Sequence, residues 1–136
     1  MEKRDFAKKE IQEKEEKKMI FIAKNEKGEP TWKLALEKRK TVTRRLKPLP
    51  VGKEFAIQPG RGKFAVCRAG VVSCVNSFEH FRNSTFDTNK IILLENWKQA
   101  EAHLEGFGSW DALMRFFQDK KIQFADTFRI EYELIN

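Results

Sequence analysis

Histidine and cysteine are scarce in this chain, and their scarcity removes several kinds of chemistry at once. The 136 residues hold two His, His80 and His103, and two Cys, Cys67 and Cys74, so no zinc-ligand spacing exists. Position suggests no Ser–His–Asp or Cys–His pairing either. The cysteines sit seven apart in what reads as continuous strand. An odd separation puts them on opposite faces, which argues against a disulfide between them. Long apolar runs are also lacking. The longest, MIFIA at 19–23 and IILL at 91–94, fall far short of the roughly 20 residues of a membrane-spanning helix. The first 18 residues are charged throughout, with no apolar middle, which excludes a signal peptide. These absences describe a reduced, cytoplasmic chain with no membrane segment.

What is present is enough for one core. A hydrophobic content of 40%, with 12 Phe and 3 Trp, excludes a wholly disordered chain, and the length fits a single domain. The formal charge of +7 is concentrated. Residues 1–18 carry a net +1, and residues 33–68 carry eleven Lys/Arg against Glu37 and Glu54, a net +9. Such a segment attracts phosphates, as in a nucleic acid or nucleotide; a solvated basic face is the plainer alternative.

The Lys/Glu-rich residues 1–18 form an appendage, helical or frayed, leaving 19–136 as the folded unit. Residues 19–24 predict a short buried strand and 25–30 (NEKGEP) a turn. Thr31 caps a short helix that places Trp32, Ala35 and Leu36 on one face. KTVTRRL at 40–46 is β-branched and alternating, hence a strand. Two more strands, at 54–58 and from 64 to 73 or beyond, are joined by Pro59-Gly60-Arg61-Gly62, with Gly70 marking a bulge or bend. Residues 78–90 (FEHFRNSTFDTNK) predict a long polar loop. A helix over 95–104 turns Trp97, Ala100 and Leu104 inward and stops at Gly106. Ser109 caps another, with Trp110, Leu113, Met114 and Phe117 on one face. Alternation from Phe128 to Leu134 gives the last strand. The class is α+β: a small, mostly antiparallel, barrel-like sheet with flanking helices.

The segment PGRGK at 59–63 lies between strands and lacks P-loop spacing, so it reads as a hairpin tip whose Arg61 and Lys63 can touch a phosphate backbone. KRKTVTRR at 38–45 is the remaining candidate. Strand alternation sets Thr41, Thr43 and Arg45 on one face and Val42 and Arg44 on the other; an edge strand protected by charge has the same pattern.

KRKTVTRRLKPLPVGKEFAI, followed by AHLEGFGSWDAL, resembles the ASCH family, a branch of the PUA-like β-barrels. Lys40, Thr41, Thr43 and Arg45 fall on its G-x-K-T-x-[TE]-x-R run and Gly52 on the following turn. Glu105, Gly106, Phe107 and Ser109 fall on its E-G-[FY]-x-[ST] step. The likeness spans about residues 19–134 and departs from the pattern at Lys38, where the family has Gly. It implies a barrel cleft in which Lys40, Thr43, Arg45 and Glu105 converge, and a role with RNA or modified nucleosides. Some bacterial members are similar to amidohydrolases that deacetylate N4-acetylcytidine with a Lys, a Thr and a Glu. Here those are Lys40, Thr43 and Glu105.

That chemistry is physically coherent. Thr43 as nucleophile needs a proton acceptor, which Lys40 becomes if burial and Arg44 or Arg45 depress its pKa. Glu105 would activate water or protonate the leaving amine, and Arg45 would face an oxyanion or phosphate. Glu105 neutralising Arg45 structurally is the alternative. The expectation is an RNA- or nucleotide-binding domain, with Thr41, Arg44, Arg45, Lys53, Arg61 and Lys63 as contacts. Amidohydrolysis of acylated cytidine, or metal-independent ribonuclease action in the same cleft, is the alternative; an accessory protein docking through its N-terminal segment is a further one. No cofactor or metal is expected; the oligomeric state is open, with a monomer favoured.

Overall fold

The computed structural model describes residues 17–85 and 91–135. Within them five strands form one sheet: β1 (Lys17–Ile20), β2 (Val42–Arg45), β3 (Glu54–Gln58), β4 (Cys67–Asn76) and β5 (Phe128–Ile135). Their order is β1-β3-β4-β5-β2, and the sheet curls into a half-barrel. β1 runs parallel to β3, while the other neighbours are antiparallel. Among the described residues four helices accompany the sheet: α1 (Thr31–Leu36), α2 (Ser77–Thr85), α3 (Ile91–Leu104) and α4 (Trp110–Asp119), with a 3₁₀ turn at Phe124–Asp126. The architecture is α+β, and no described helix is long and apolar enough to cross a membrane.

Two apolar cores result. The inner face of the sheet packs Met19, Phe21, Phe55, Ile57, Val71, Ile130 and Tyr132 with Ala35 of α1. Tyr132 meets Phe21 and Phe55 edge-on, with ring centroids 5.9 and 5.7 Å away. The second core joins Ala102 of α3 to Phe107, Leu113 and Phe117. As the spacing predicts, Leu113 and Phe117 are buried and the Ser109 hydroxyl caps α4 by accepting from the Ala112 amide.

Several expectations are corrected. Residues 77–85 are helical rather than loop, because the Asn76 side chain accepts from the amides of Phe78 and Glu79 and starts the helix; residues 86–90 of the expected loop lie outside the described residues. Pro30, not Thr31, occupies the cap position of α1, and Thr31 donates its hydroxyl to the Ala23 carbonyl. Leu34 is buried there while Leu36 is exposed. On α3 Trp97 turns inward against Phe81 and Trp110 as expected, but Ala100 is exposed and the buried residues are Glu101 and Ala102. β4 begins at Cys67, leaving Phe64 outside it.

The irregularity expected near Gly70 falls between Val71 and Ser73. Its extra residue flips the parity of the strand. Cys67 and Cys74 therefore pack against the same core, both as free thiols. Residues 1–16 of the expected appendage lie outside the described residues; Lys17 and Lys18 pair with Phe55 and Ala56 as part of β1.

Candidate functional site

Two helix ends, built alike, deliver the central residues. After α3, the Gly106 amide donates to the His103 carbonyl and the Phe107 amide to the Ala102 carbonyl, 2.9 Å each. This is the doubly bonded terminus that needs one left-handed residue. Gly106 supplies it with φ +95°, and a methyl group on it would lie 2.9 Å from Leu34 Cδ1. Glu105 is thereby held at the end of the helix with its side chain buried. After α1 the same pattern recurs: the Lys38 amide bonds Ala35 and the Arg39 amide bonds Leu34. Lys38 takes the left-handed conformation with φ +62°. The corner thus adopts the backbone that glycine favours, at some strain in a side-chain-bearing residue.

Lys40 follows that corner and is buried. Its ammonium donates to the Val42 carbonyl at 2.7 Å and to the Glu105 carbonyl at 2.9 Å, and lies 3.4 Å from the Glu105 carboxylate. Tyr132 Oη donates to the Lys40 carbonyl at 3.0 Å. Burial pushes the Lys40 ammonium down to about 8; Glu105 opposes the shift, and the Arg45 and Arg44 charges add to it. On β2, Arg45 Nε donates to Thr43 Oγ1 at 3.2 Å and Nη2 to the Ile20 carbonyl at 3.0 Å. Lys40 Nζ and Arg45 Cζ lie 5.5 and 5.1 Å from the centroid of the Phe21 ring.

These groups open onto one cavity of about 570 Å³, lined also by Phe21 of the sheet core and by Phe107, Phe116 and Phe117 of the second core. Seven cationic side chains border it: Lys17, Lys18, Lys40, Arg44, Arg45, Lys47 and Lys120. The only carboxylate among the described lining residues is Glu105. Lys17, Lys18, Lys47 and Lys120 are exposed and ring the apolar walls with positive charge.

Of the residues singled out from sequence, Lys40, Thr43, Arg44, Arg45 and Glu105 are brought to this cavity, and Thr41, Lys53, Arg61 and Lys63 are not. Thr41 is tied into backbone pairing with Leu104 and Tyr132. Lys53 stands exposed ahead of β3, and Arg61 and Lys63 lie exposed between β3 and β4. Arg44 is a correction: its side chain is fully buried and unavailable as a surface contact to nucleic acid. β2 is an edge strand, as the charge-protection alternative has it, but this charge points inward.

Sequence reasoning missed what receives it. Arg44 Nη2 meets Glu101 Oε1 at 2.7 Å and its Nε donates to Ser77 Oγ at 3.0 Å. Arg129 donates to both Glu101 oxygens, at 2.6 and 3.1 Å. Burial raises the Glu101 carboxyl, but the bonds from Arg129 and Arg44 outweigh it and the net shift is downward. Arg44 Nη1 faces the Glu105 carboxylate at 3.6 Å without a hydrogen bond. The buried Glu101 web thus adjoins the cavity and fixes the helix that carries Glu105.

Compared with family models, with curated proteins and with solved structures, the chain matches none.

Proposed function

We propose that the protein is a PUA-like, ASCH-type domain of the cytoplasm that binds a pyrimidine nucleotide, free or within RNA, in the cavity between its two cores. One observation carries the reading: among the described residues, seven cationic side chains and a single carboxylate border an aromatic-walled cavity of about 570 Å³. The size suits a small planar ligand. The charge excess favours a phosphorylated one, because an uncharged nucleoside gives four exposed rim lysines nothing to bind. A base fits against Phe21 and the phenylalanines of the second core, with Thr43, Arg45 and Glu105 as the convergent polar groups. Calorimetric titration with CMP tests this. Saturable binding that weakens with salt and falls at least tenfold in Arg45→Ala supports it; no binding by folded protein, or unchanged affinity in Arg45→Ala, contradicts it.

A second reading, amidohydrolysis of N4-acetylcytidine, is favoured by the buried Lys40 ammonium lowered to about 8 within 3.4 Å of Glu105. A lysine that loses its proton near neutral pH serves as a base. Arg45 occupies one lone pair of Thr43 Oγ1 and leaves the hydroxyl proton for transfer. Thr43 would then attack the acetyl carbon, the cytidine amine would leave after gaining that proton, and water activated at Glu105 would release acetate from Thr43. Cytidine release that is lost in Lys40→Ala supports this reading; none from folded wild-type protein removes it.

A further inference from the structure

We propose that Phe64, between β3 and β4, is a stacking platform for an unpaired base next to the nucleotide in the cavity, so that the ligand is a single-stranded nucleic acid rather than a mononucleotide. The inference rests on the cavity reading above, but different residues carry it. Phe64 is 95% exposed. A solvent-facing aromatic of that size in a small domain has no packing reason, and it directly follows Arg61, Gly62 and Lys63 at the tip of a connection whose cations are also exposed.

The tip is placed by specific bonds. The Gln58 side-chain amide donates to the Lys63 carbonyl at 3.0 Å, and the Lys63 amide donates to Gly60 at 3.3 Å. Parallel pairing of β1 with β3 ends at Ile20 opposite Gln58, and the Phe21 amide extends it to the Gln58 carbonyl. The chain leaving β1 therefore runs beside the tip. A methyl group on Gly60 would sit 3.6 Å from Lys63 Cγ and 3.8 Å from Ile22 Cδ1. Ile22 is 63% exposed and lines the cavity. The connection thus passes beside Ile22, a residue of the cavity's lining, at Gly60, and its two cations and Phe64 follow within four residues, outside the lining itself.

Stacking on an exposed aromatic with flanking cations on the backbone is how proteins hold single strands without reading their sequence. A strand with one base in the cavity passes the Ile22 edge and lays the neighbouring base on Phe64, with Arg61 and Lys63 on the intervening phosphates. A paired base has no free face to offer.

Fluorescence anisotropy of 5′-fluorescein decacytidylate, as RNA and as DNA, against CMP and a labelled duplex tests this. The expected result is that at least one single strand binds tenfold or more tighter than CMP and than the duplex; which sugar binds tighter identifies the source. Phe64→Ala weakens that strand by roughly 5- to 100-fold and leaves the calorimetric CMP affinity unchanged, while Phe64→Trp preserves both. Equal strand binding by wild type and Phe64→Ala, or a duplex bound as tightly as the strand, overturns the proposal. Strand binding that depends on Phe64 without any CMP binding would support the platform and reject the cavity reading. CMP binding with no gain for the strand would reject the platform and keep the cavity.

Discussion

Glu101 and Glu105 stand one turn apart along the end of α3 and are equally buried, at 3% exposure, yet their oxygens live in different surroundings. Glu101 is bonded by two guanidiniums at 2.6 to 3.1 Å. Glu105 is approached by Lys40 at 3.4 Å and by Arg44 at 3.6 Å, both long for charge-assisted hydrogen bonds, and it opens on the cavity. Burial alone does not separate the two carboxylates. The bond lengths do: the first is saturated and locks Arg44 of β2 and Arg129 of β5 to the helix, and the second keeps bonding capacity to spare.

The largest expected effect breaks the saturated side. Glu101→Gln leaves two guanidiniums sharing a neutral amide in a buried site and is expected to lower stability by about 3–5 kcal/mol in chemical denaturation; a loss below about 1 kcal/mol would refute its structural role. Gly106→Ala comes next. It forces a left-handed alanine and drives its methyl onto Leu34, for a loss of about 2–4 kcal/mol. Glu105→Gln sharpens the contrast, with a stability loss under about 1.5 kcal/mol alongside loss of CMP affinity or of turnover.

Lys40 adds a pH signature. Its folded pKa of about 8 lies below the unfolded value of roughly 10.5, so between the two the unfolded chain binds more protons. Stability from this group therefore rises with pH from 8 to 10.5, and that rise vanishes in Lys40→Met. The smallest effect concerns the twin helix ends: Lys38→Gly removes left-handed strain and is expected to add about 0.5–1 kcal/mol, the reverse of Gly106→Ala.

The elements legible in the sequence are those with strong local signals. The Ser109 cap, the Gly106 stop and the alternation of β5 each follow from a few neighbouring residues, whereas the association of Lys40, Thr43 and Arg45 with the distant Glu105 was expected only from the resemblance to a family pattern. The buried ion web was illegible because hydrophobic periodicity treats a charge as solvent-facing. It turned Ala100 inward on α3, where that residue is exposed, and passed over Glu101, which is buried against its arginines. The same bias read residues 78–90 as loop, although Asn76 with Glu79 three residues on is a helix-start signal. The cationic ring joins Lys17 and Lys18 to Lys47 and Lys120, residues separated by most of the chain, and only the fold assembles it.

The most direct measurement follows the Cε resonances of ¹³C-lysine-labelled protein against pH, with and without saturating CMP, using Lys40→Met for assignment. The account expects one lysine to titrate near 8, its signal to be missing in the variant, and its pKa to rise when the phosphate enters the cavity. All lysines titrating at their ordinary value, or a Lys40 titration that CMP leaves unmoved, would contradict it.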